Sequence, residues 1–248
     1  MISKIVIVGS GTMGTGVSKL LEKYNYDVKL LSARELMSVN LTEIDIVKSA
    51  DLIIEASSEN LASKLELLRI ISDTNSVGTI ATTTSSLSIA ELSKAISSAD
   101  RFCGIHFMNP ATVIPVVEFT PSSEFSLSRK EQVAELLKSI DRIVFETLDQ
   151  PGFVLNALLF PFLNRAVYMV EDSKLSPRDV DDIMLKVCGH KLGPLATLDL
   201  VGLDVSLEIM NILHDRDPKF NLQPANLLLT LVQEGRLGKK TGNGFYNY

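Results

Sequence analysis

A glycine-rich loop near the N-terminus constrains the fold of this chain more than any other feature. Lys4–Val8 is a short β-branched run, and the loop Gly9-Ser10-Gly11-Thr12-Met13-Gly14 follows it directly. Apolar residues then recur at helical spacing. A GxGxxG loop between a strand and a helix is typical of dinucleotide-binding βαβ units, where the helix N-terminus binds a pyrophosphate. The alternative is a glycine-rich turn without a ligand. We expect cofactor contacts from Gly9, Gly11, Thr12, Met13 and Gly14.

The next part of the chain alternates between strand and helix patterns. Further strands are predicted at Val28–Leu31, Leu52–Ala56, Thr79–Thr82, Phe102–His106, Val113–Phe119 and Ile143–Thr147. Helical patterns lie between several of them, at Leu61–Ile71, Ile89–Ile96 and Arg129–Ile140. Such alternation predicts an α/β fold with a mostly parallel, doubly wound sheet of the Rossmann type.

The pattern changes at Gln150-Pro151-Gly152 and becomes almost entirely helical. Helices are predicted over 153–173, 177–187, 203–213 and 225–234, and Ser176-Pro177 is a typical helix start. We therefore expect a Rossmann domain over 1–149 and an all-α domain for substrate binding and dimerisation over 150–248.

Composition excludes several classes of protein. The 24 Lys and Arg residues against 30 Asp and Glu give a net charge of −6, which argues against a nucleic-acid partner. The two cysteines, Cys103 and Cys188, have neither a disulfide framework nor a metal-site spacing. No apolar run is long enough for a bilayer, and the first strand leaves no room for a signal peptide. We expect a cytoplasmic protein with no metal and no membrane contact.

The residues after the second strand bear on the choice of cofactor. NAD-binding folds usually have Asp or Glu at this point to bind the ribose hydroxyls. This chain has Ser32-Ala33-Arg34 instead, and Ser32 and Arg34 are able to hold a 2′-phosphate. The sequence therefore favours NADP over NAD. Arg34 stacking on adenine, or standing as a solvated charge, are the alternatives.

Polar residues cluster where the later strands end, which is where open α/β sheets bind ligands. They are Thr82–Ser86, His106–Pro110 and Glu118. Histidine is the commonest general acid or base, and Glu118 is able to orient the His106 imidazole. The other two histidines, His190 and His214, are expected at the surface or in turns.

Several motifs together resemble those of the 3-hydroxyacyl-CoA dehydrogenase family. His106-Phe107-Met108-Asn109-Pro110 is followed twelve residues after the histidine by Glu118. Matches to the family motifs ENLxxK, TSSL and PGFxxN lie at Glu59–Lys64, Thr84–Leu87 and Pro151–Asn156. Two further matches lie at Gly193–Asp204 and Gly238–Tyr246. The resemblance extends, in order, over essentially the whole chain.

The resemblance implies a role for each matching residue. His106 would be the acid and base, with Glu118 as its partner, and Ser85 would bond to the 3-oxygen of the substrate. Asn156 would hold the substrate near its thioester, and Asn109 would contact the nicotinamide or its ribose. Further cofactor positions are Glu59, Lys64 and Lys240. The implied enzyme transfers a hydride between an NAD(P) cofactor and C3 of a β-hydroxyacyl thioester, as in fatty acid metabolism.

The chain departs from the family pattern in three places. Thr83 stands where the family has Asn, and Ala157 stands where it has Arg. The stretch from Arg34 to Asp51 is too short for the long helical hairpin that covers the CoA nucleotide in family members, and a short strand or turn fits there. The acyl group could therefore arrive on CoA, on a carrier protein or as a free acid.

Two other functions and one assembly follow from the same residues. A non-catalytic, dinucleotide-binding structural or sensor protein is an alternative of a different class, and a lysine-dependent β-hydroxyacid dehydrogenase is disfavoured by the His106 and Glu118 pair. We expect a homodimer through residues 150–248 because this part of the chain has many apolar side chains. Those that suggest it are Leu158, Phe160, Phe162, Leu163, Leu227, Leu228, Leu229 and Leu231.

Overall fold

The computed structural model describes residues 2–37, 41–218 and 222–248. The chain divides into two compact units, residues 1–153 and 154–248. The first contains the sheet and the second is helical, which confirms the predicted fold class. The expected boundary between residues 149 and 150, as a limit between functional domains, stays a prediction.

The sheet of the first unit has the connectivity of a doubly wound fold. Its strands are β1 (Lys4–Val8), β2 (Asp27–Leu31), β3 (Leu52–Glu55), β4 (Thr79–Thr82), β5 (Phe102–Phe107), β6 (Val116–Pro121) and β7 (Ile143–Glu146). Their order across the sheet is β2-β1-β3-β4-β5-β6-β7. Neighbouring strands are parallel except β5 and β6, which are antiparallel. The carboxyl ends of β1, β3, β4 and β5 therefore share one edge of the sheet.

Helices connect these strands and cover the sheet. They are α1 (Thr12–Lys23), α2 (Ala33–Met37), α3 (Leu41–Lys48), α4 (Leu61–Thr74), α5 (Ile89–Ser93) and α6 (Leu127–Ser139). Apolar side chains of α1 and α6 join those of β1, β3 and β5 in one buried cluster. The central strands β3 and β4 are buried along their whole length, as expected for parallel strands covered on both faces.

The connection between β2 and β3 differs from the short strand or turn that the sequence suggested. It contains the two short helices α2 and α3, separated by residues 38–40, which lie outside the described residues. Apolar residues of this connection, Leu36 and Val47, are buried. Each of these helices has only about one to two turns, which is enough to bury an apolar side chain of the connection.

The second unit is built from five helices among its described residues. These are α7 (Leu155–Glu171), α8 (Pro177–Cys188), α9 (Pro194–Val201), α10 (Leu203–Arg216) and α11 (Asn226–Gln233). The predicted start at Ser176-Pro177 is confirmed, since Ser176 and Asp179 form a reciprocal capping box. Helix α9 was not predicted. It begins at Pro194 after Gly193, which is the same proline signal in a weaker context.

Most of the apolar residues that suggested a dimer lie inside the second unit instead. Phe160, Leu163, Leu228 and Leu231 are buried in its own core. Leu158 alone among the eight is strongly exposed, at 71%. The sequence could not separate these faces because α7 and α11 are apolar around most of their circumference. Within the described ranges, no helix has the length and apolar character needed to span a membrane.

Candidate active site

The glycine-rich loop between β1 and α1 has the geometry of a phosphate-binding turn. Gly9 has a φ of +127°, and a Cβ there would lie 2.3 Å from the carbonyl oxygen of Ala56. A Cβ at Gly14 would lie 1.8 Å from the carbonyl oxygen of Gly9, whereas a Cβ at Gly11 would meet nothing within 4 Å. The loop is therefore packed tightly on the protein side and open at Gly11.

Helix α1 begins at this opening. Its N-cap is Gly11, no described side chain caps it, and its first turn has no acidic residue. The N–H groups and the dipole of the first turn favour an anion. Gly11 and Thr12 line a cavity of about 500 Å³ together with Asn109, which follows β5. These residues fit the pyrophosphate of a dinucleotide, with Asn109 at the same cavity.

A carboxylate that was not predicted for this place, that of Glu35, bonds to Ser32 just after β2. Glu35 Oε2 accepts a hydrogen bond from the Ser32 backbone N–H at 2.9 Å, and the Glu35 N–H donates to Ser32 Oγ at 3.1 Å. Hydrogen bonds from Ser32 hold the pKa of Glu35 below its ordinary value. Arg34 is exposed on α2. The residues just after β2 therefore include a negative charge, Glu35, as well as the positive charge of Arg34 that was expected from the sequence.

His106 and Glu118 form a buried pair across the antiparallel strands. They lie directly opposite each other in the register of β5 and β6. Side chains at such positions project from the same face, and His106 Nδ1 is 2.8 Å from Glu118 Oε2. The residues are only 8% and 4% exposed, and the Phe153 ring lies 5.9 Å from the imidazole. The hairpin register thus explains the twelve-residue spacing, and the pair is suited to general acid and base chemistry.

The turn after β4, residues 84–86, is held by one carboxylate, and we refer to it as the serine turn. Glu59 Oε1 accepts from the backbone N–H groups of Ser85 and Ser86 at 2.7 and 2.9 Å. It also accepts from the hydroxyls of Thr84, Ser85 and Ser86. Burial raises the pKa of Glu59, but the Lys64 charge and these hydrogen bonds outweigh burial and lower it overall.

Lys64 lies beneath the serine turn and has no exposed surface. Its Nζ is 2.9 and 3.1 Å from the two carboxylate oxygens of Glu55, and 3.8 Å from Glu59 Oε2. The sequence placed Glu59 and Lys64 near the cofactor. The structure places them together, in contact with the serine turn and Glu55, and a direct cofactor contact of either stays a prediction.

The strand order brings the serine turn and His106 to neighbouring strands. β4 and β5 are parallel neighbours in which Thr82 pairs with Gly104. Ser85 follows the end of β4, and His106 is the next-to-last residue of β5. Both therefore lie at the edge of the sheet where the glycine-rich loop opens.

The remaining predicted residues lie in the second unit. Asn156 is buried on α7, and Lys240 Nζ is 2.6 Å from both carboxylate oxygens of Asp204. Their proposed roles stay predictions. Of the two other histidines, His190 is exposed after α8, whereas His214 lies half-buried within α10 and not in a turn.

Two acids in the site were missed by the sequence reasoning. Glu55 stands at the end of the apolar run Leu52–Ala56, and a carboxylate in a buried strand must have a partner, which is a usable signal. Glu35 stands three residues after Ser32, and this spacing is that of a reciprocal helix cap. Both signals are local, but neither indicates which segment the carboxylate faces.

Comparison with known proteins gives a consistent picture over the whole chain. Residues 33–150 match the model of the 3-hydroxyacyl-CoA dehydrogenase NAD binding domain. Residues 152–248 match that of the 3-hydroxyacyl-CoA dehydrogenase C-terminal domain. The 3-hydroxybutyryl-CoA dehydrogenase of Clostridioides difficile is 34% identical over 280 positions, which cover 99% of each chain. Because this chain has 248 residues, that alignment includes residues of the relative without a counterpart here.

Solved structures agree with the sequence comparisons. The (S)-3-hydroxybutyryl-CoA dehydrogenase PaaH1 from Ralstonia eutropha has a TM-score of 0.88 and 33% identity, covering 100% of this chain and 99% of its own. M. tuberculosis FadB2 has a TM-score of 0.92 and 28% identity over the same shares of the two chains. Sequence matches over nearly full length and a shared fold lead to one conclusion. The chain belongs to the 3-hydroxyacyl-CoA dehydrogenase family.

Proposed function

We propose that this enzyme oxidises the 3-hydroxyl group of a 3-hydroxyacyl thioester, and catalyses the reverse reduction, with a nicotinamide cofactor. The observation that carries the proposal is the buried pair of His106 and Glu118 at the sheet edge where the glycine-rich loop opens. Relatives named 3-hydroxybutyryl-CoA dehydrogenase and the match to an NAD binding domain support it.

His106 moves the proton of the reaction. A carboxylate only accepts hydrogen bonds, so the contact with Glu118 places a proton on Nδ1 and leaves the Nε2 lone pair to receive the hydroxyl proton. Glu118 then stabilises the resulting imidazolium. A bound nicotinamide supplies the hydride acceptor or donor. In the reverse direction Nε2 returns the proton to the 3-oxygen.

Ser85 binds and orients the reacting oxygen in this proposal. Its backbone N–H is held by Glu59 Oε1, and its hydroxyl, which donates to the same oxygen at 3.2 Å, turns to the substrate oxygen when the substrate binds. Fixed donors around a developing alkoxide lower the barrier without reorganisation during the reaction. Asn156 is proposed to hold the thioester end of the substrate.

The direct test is turnover of (S)-3-hydroxybutyryl-CoA with NAD+ or NADP+, measured by the absorbance of the reduced nicotinamide. Turnover is expected, and it should vanish in a His106→Gln variant. If the wild-type protein binds a dinucleotide but turns over no CoA ester, carrier-bound ester or free acid, the alternative of a non-catalytic sensor or structural protein is favoured.

The acyl carrier is CoA in the names of the relatives, and a carrier protein is a second candidate. The observation that favours the second is the β2–β3 connection, in whose described residues the helices are the short α2 and α3. It offers little surface to grip the nucleotide end of CoA. Comparing kcat/KM for acetoacetyl-CoA and for the same acyl group on a carrier protein decides between them, and a strong preference for CoA would exclude the carrier.

The choice between NAD and NADP depends on three residues after β2. Ser32 and Arg34 support the prediction of NADP, because they are able to bind a 2′-phosphate. The Glu35 carboxylate opposes the prediction of NADP, because its negative charge lies beside Ser32 and would repel a 2′-phosphate there. Titration of the protein with NADH and NADPH measures the preference directly.

A homodimer through the helical unit is proposed on Leu158, which the sequence also suggested, and on three residues that it did not. Exposed apolar side chains lie on α7, α8 and α9, and α9 packs against the other two helices. They are Leu158, Ile183, Val187 and Leu200, which are 71%, 53%, 78% and 60% exposed. A second copy would cover them. Solution scattering should give a dimer for the wild type and a monomer for Val187→Glu.

A cytoplasmic location is proposed from composition alone.

A further inference from the structure

The serine turn rests on an ionic group that extends beyond the residues already assigned to the site. Three charged side chains, Glu55, Lys64 and Glu59, follow one another from the end of β3 to the turn. Glu55 and Lys64 have fully buried side chains, and Glu59 is 20% exposed. Buried charges persist only where they are paired and hydrogen-bonded.

Glu55 accepts hydrogen bonds on both of its carboxylate oxygens. Besides both contacts with Lys64, its carboxylate accepts from the Thr82 hydroxyl at 2.7 Å. It also accepts from the backbone N–H and the hydroxyl of Ser57, at 2.7 and 2.5 Å. These donors come from three segments and hold the Glu55 carboxylate in place, and Lys64 Nζ donates to both of its oxygens and to the Ser57 carbonyl.

Lys64 is shared between two carboxylates at unequal distances. Its Nζ lies 2.9 Å from Glu55 Oε2 and 3.8 Å from Glu59 Oε2. The second oxygen of Glu59, Oε1, carries the hydrogen bonds to the serine turn. Glu55 therefore keeps the ammonium from approaching Glu59 more closely, and this leaves Glu59 aligned with the turn.

We propose that Glu55 is a positioning residue that acts through Lys64 and Glu59 to fix Ser85 for the reaction. If Glu55 loses its charge, the only carboxylate left to Lys64 within this group is Glu59. The ammonium then moves toward Glu59 and draws its carboxylate away from the N–H groups of Ser85 and Ser86. The assignment rests on the proposed function only in giving Ser85 a role in turnover.

A double-mutant cycle between Glu55→Gln and Ser85→Ala tests the proposal. If Glu55 acts through Ser85, Glu55→Gln lowers kcat about tenfold in the wild type and less than about twofold in the Ser85→Ala background. KM should change less than kcat, because the proposed hydrogen bond from Ser85 to the substrate 3-oxygen is stronger in the transition state than in the bound substrate. An equal loss of kcat in both backgrounds, or no loss in either, overturns the proposal.

Hydrogen exchange provides a second measurement that needs no turnover. Exchange of the Ser85 and Ser86 amides should become about tenfold faster in Glu55→Gln, because their acceptor is displaced. Unchanged exchange overturns the proposal even if kcat falls. This measurement also separates two failures: an inactive wild type contradicts the proposed function, whereas faster exchange in the variant still supports the positioning role.

Asp181→Asn is the matched control. Asp181 is a buried carboxylate of the other unit that accepts from the Leu195 and Ala196 N–H groups and from the Tyr246 hydroxyl. The Asp181→Asn substitution should lower the midpoint of thermal unfolding, and it should leave kcat and the exchange of the Ser85 amide unchanged.

Glu55→Gln combined with Lys64→Met removes the ammonium that is proposed to move, although Glu59 then loses its contact with Lys64. Nothing then draws Glu59 from the turn, so this double variant should restore slow exchange of the Ser85 amide, and exchange as fast as in Glu55→Gln overturns the proposal. If Glu55→Gln does not fold, Thr82→Val, which removes one hydrogen bond to Glu55, replaces it and should give a smaller increase in exchange; unchanged exchange overturns the proposal.

Discussion

Buried carboxylates in the two units have different kinds of partner. In the first unit, Glu55 and Glu59 contact the Lys64 ammonium, and Glu118 contacts the His106 imidazole. In the second unit, Asp181 and Asp199 accept from backbone N–H groups and tyrosine hydroxyls among the described residues. The first set joins groups that can move a proton or hold a charge, and the second set joins segments of the chain.

Asp199 shows how the second set works. It accepts from the N–H groups of Phe245 and Tyr246 at 2.9 Å and from the Tyr248 hydroxyl. A Cβ at Gly244 would lie 2.0 Å from Asp199 Oδ1, so only glycine allows the approach. The carboxylates of Asp181 and Asp199, together with burial, raise the pKa of Tyr246. The C-terminal segment is thereby held against α9.

This difference shows that a match to a family motif does not by itself tell whether its residues serve the reaction or the stability of the fold. The segments Thr84–Leu87 and Gly238–Tyr246 match family motifs equally well. Their bonded partners distinguish them: Glu59, which holds the first segment, also contacts the Lys64 ammonium, whereas Asp199, which holds the second, accepts from backbone N–H groups and a tyrosine hydroxyl. Variants in the two units should therefore separate activity from stability.

The largest expected effect is on turnover at His106. Replacing His106 with Ala should lower kcat about 100- to 10,000-fold, because the group that exchanges the hydroxyl proton is lost. The dissociation constant for NADH, measured by fluorescence titration, should change less than about twofold, since the pair with Glu118 is separate from the glycine-rich loop. A kcat within tenfold of the wild type would contradict the assignment of His106.

The opposite result is expected at Asp181. Asp181→Ala removes the acceptor of one buried and two half-buried donors and should lower the free energy of unfolding by about 3 kcal/mol, measured by urea denaturation. The kcat of the folded protein should stay within about twofold. The neighbouring Asp182 is the control, because its side chain is 41% exposed and its ion pair within the described ranges is with Lys186. Asp182→Ala should cost less than about 0.5 kcal/mol. An equal cost at both positions would contradict the distinction.

Most strands could be predicted from the sequence because apolar runs and turn residues bound them. β1 and β4 have the predicted limits. β6 begins at Val116 and not at Val113, because Pro115 has no N–H for the ladder and the Val113 N–H bonds to the Pro110 carbonyl. α5 ends early because the N–H groups after Ser93 bond three residues back and not four.

The site was predictable where two residues share one hairpin. His106 and Glu118 follow from spacing and chemistry, since a tight antiparallel pair makes the register local. Glu55 was not predictable as a positioning residue, because its partners come from β4 and α4 as well as its own loop. Such a contact depends on how separate segments pack, which a single sequence does not reveal.

Glu35 provides a further test of the distinction between the two sets of carboxylates. It bonds to a backbone N–H, as Asp181 does, yet it lies exposed at the end of β2 near the dinucleotide loop. If its charge faces the cofactor, Glu35→Gln should tighten binding of NADPH about fivefold and leave NADH binding unchanged, because a repulsion of the size of an exposed charge pair is removed. Titration with both cofactors measures this.

Arg34→Gln is the companion variant, and it should weaken NADPH binding if Arg34 holds the 2′-phosphate. Unchanged affinities in Glu35→Gln would mean that Glu35 only caps α2. In that case Glu35 resembles Asp181, because its carboxylate bonds to a backbone N–H and stabilises the fold without affecting cofactor binding.

The smallest expected effect is the pH dependence of stability from Glu59. Burial raises the pKa of this carboxyl, but the Lys64 charge and the hydrogen bonds of the serine turn lower it below the ordinary value of 4.5. A lowered folded-state pKa stabilises the protein above pH 4.5, and this contribution is lost as the pH falls through the folded-state pKa. The difference in unfolding free energy between wild type and Glu59→Gln should therefore be largest at neutral pH and shrink in acid.

Glu66→Gln provides the control for this measurement, because Glu66 is an exposed acid on the same helix, α4. Its difference from the wild type should be smaller at neutral pH, since a solvated charge contributes little to stability. A Glu59→Gln difference that stays constant between about pH 7 and about pH 3 would mean that the carboxyl does not change its protonation on unfolding in this range. The ionic group under the serine turn would then act through its shape and not through its charge.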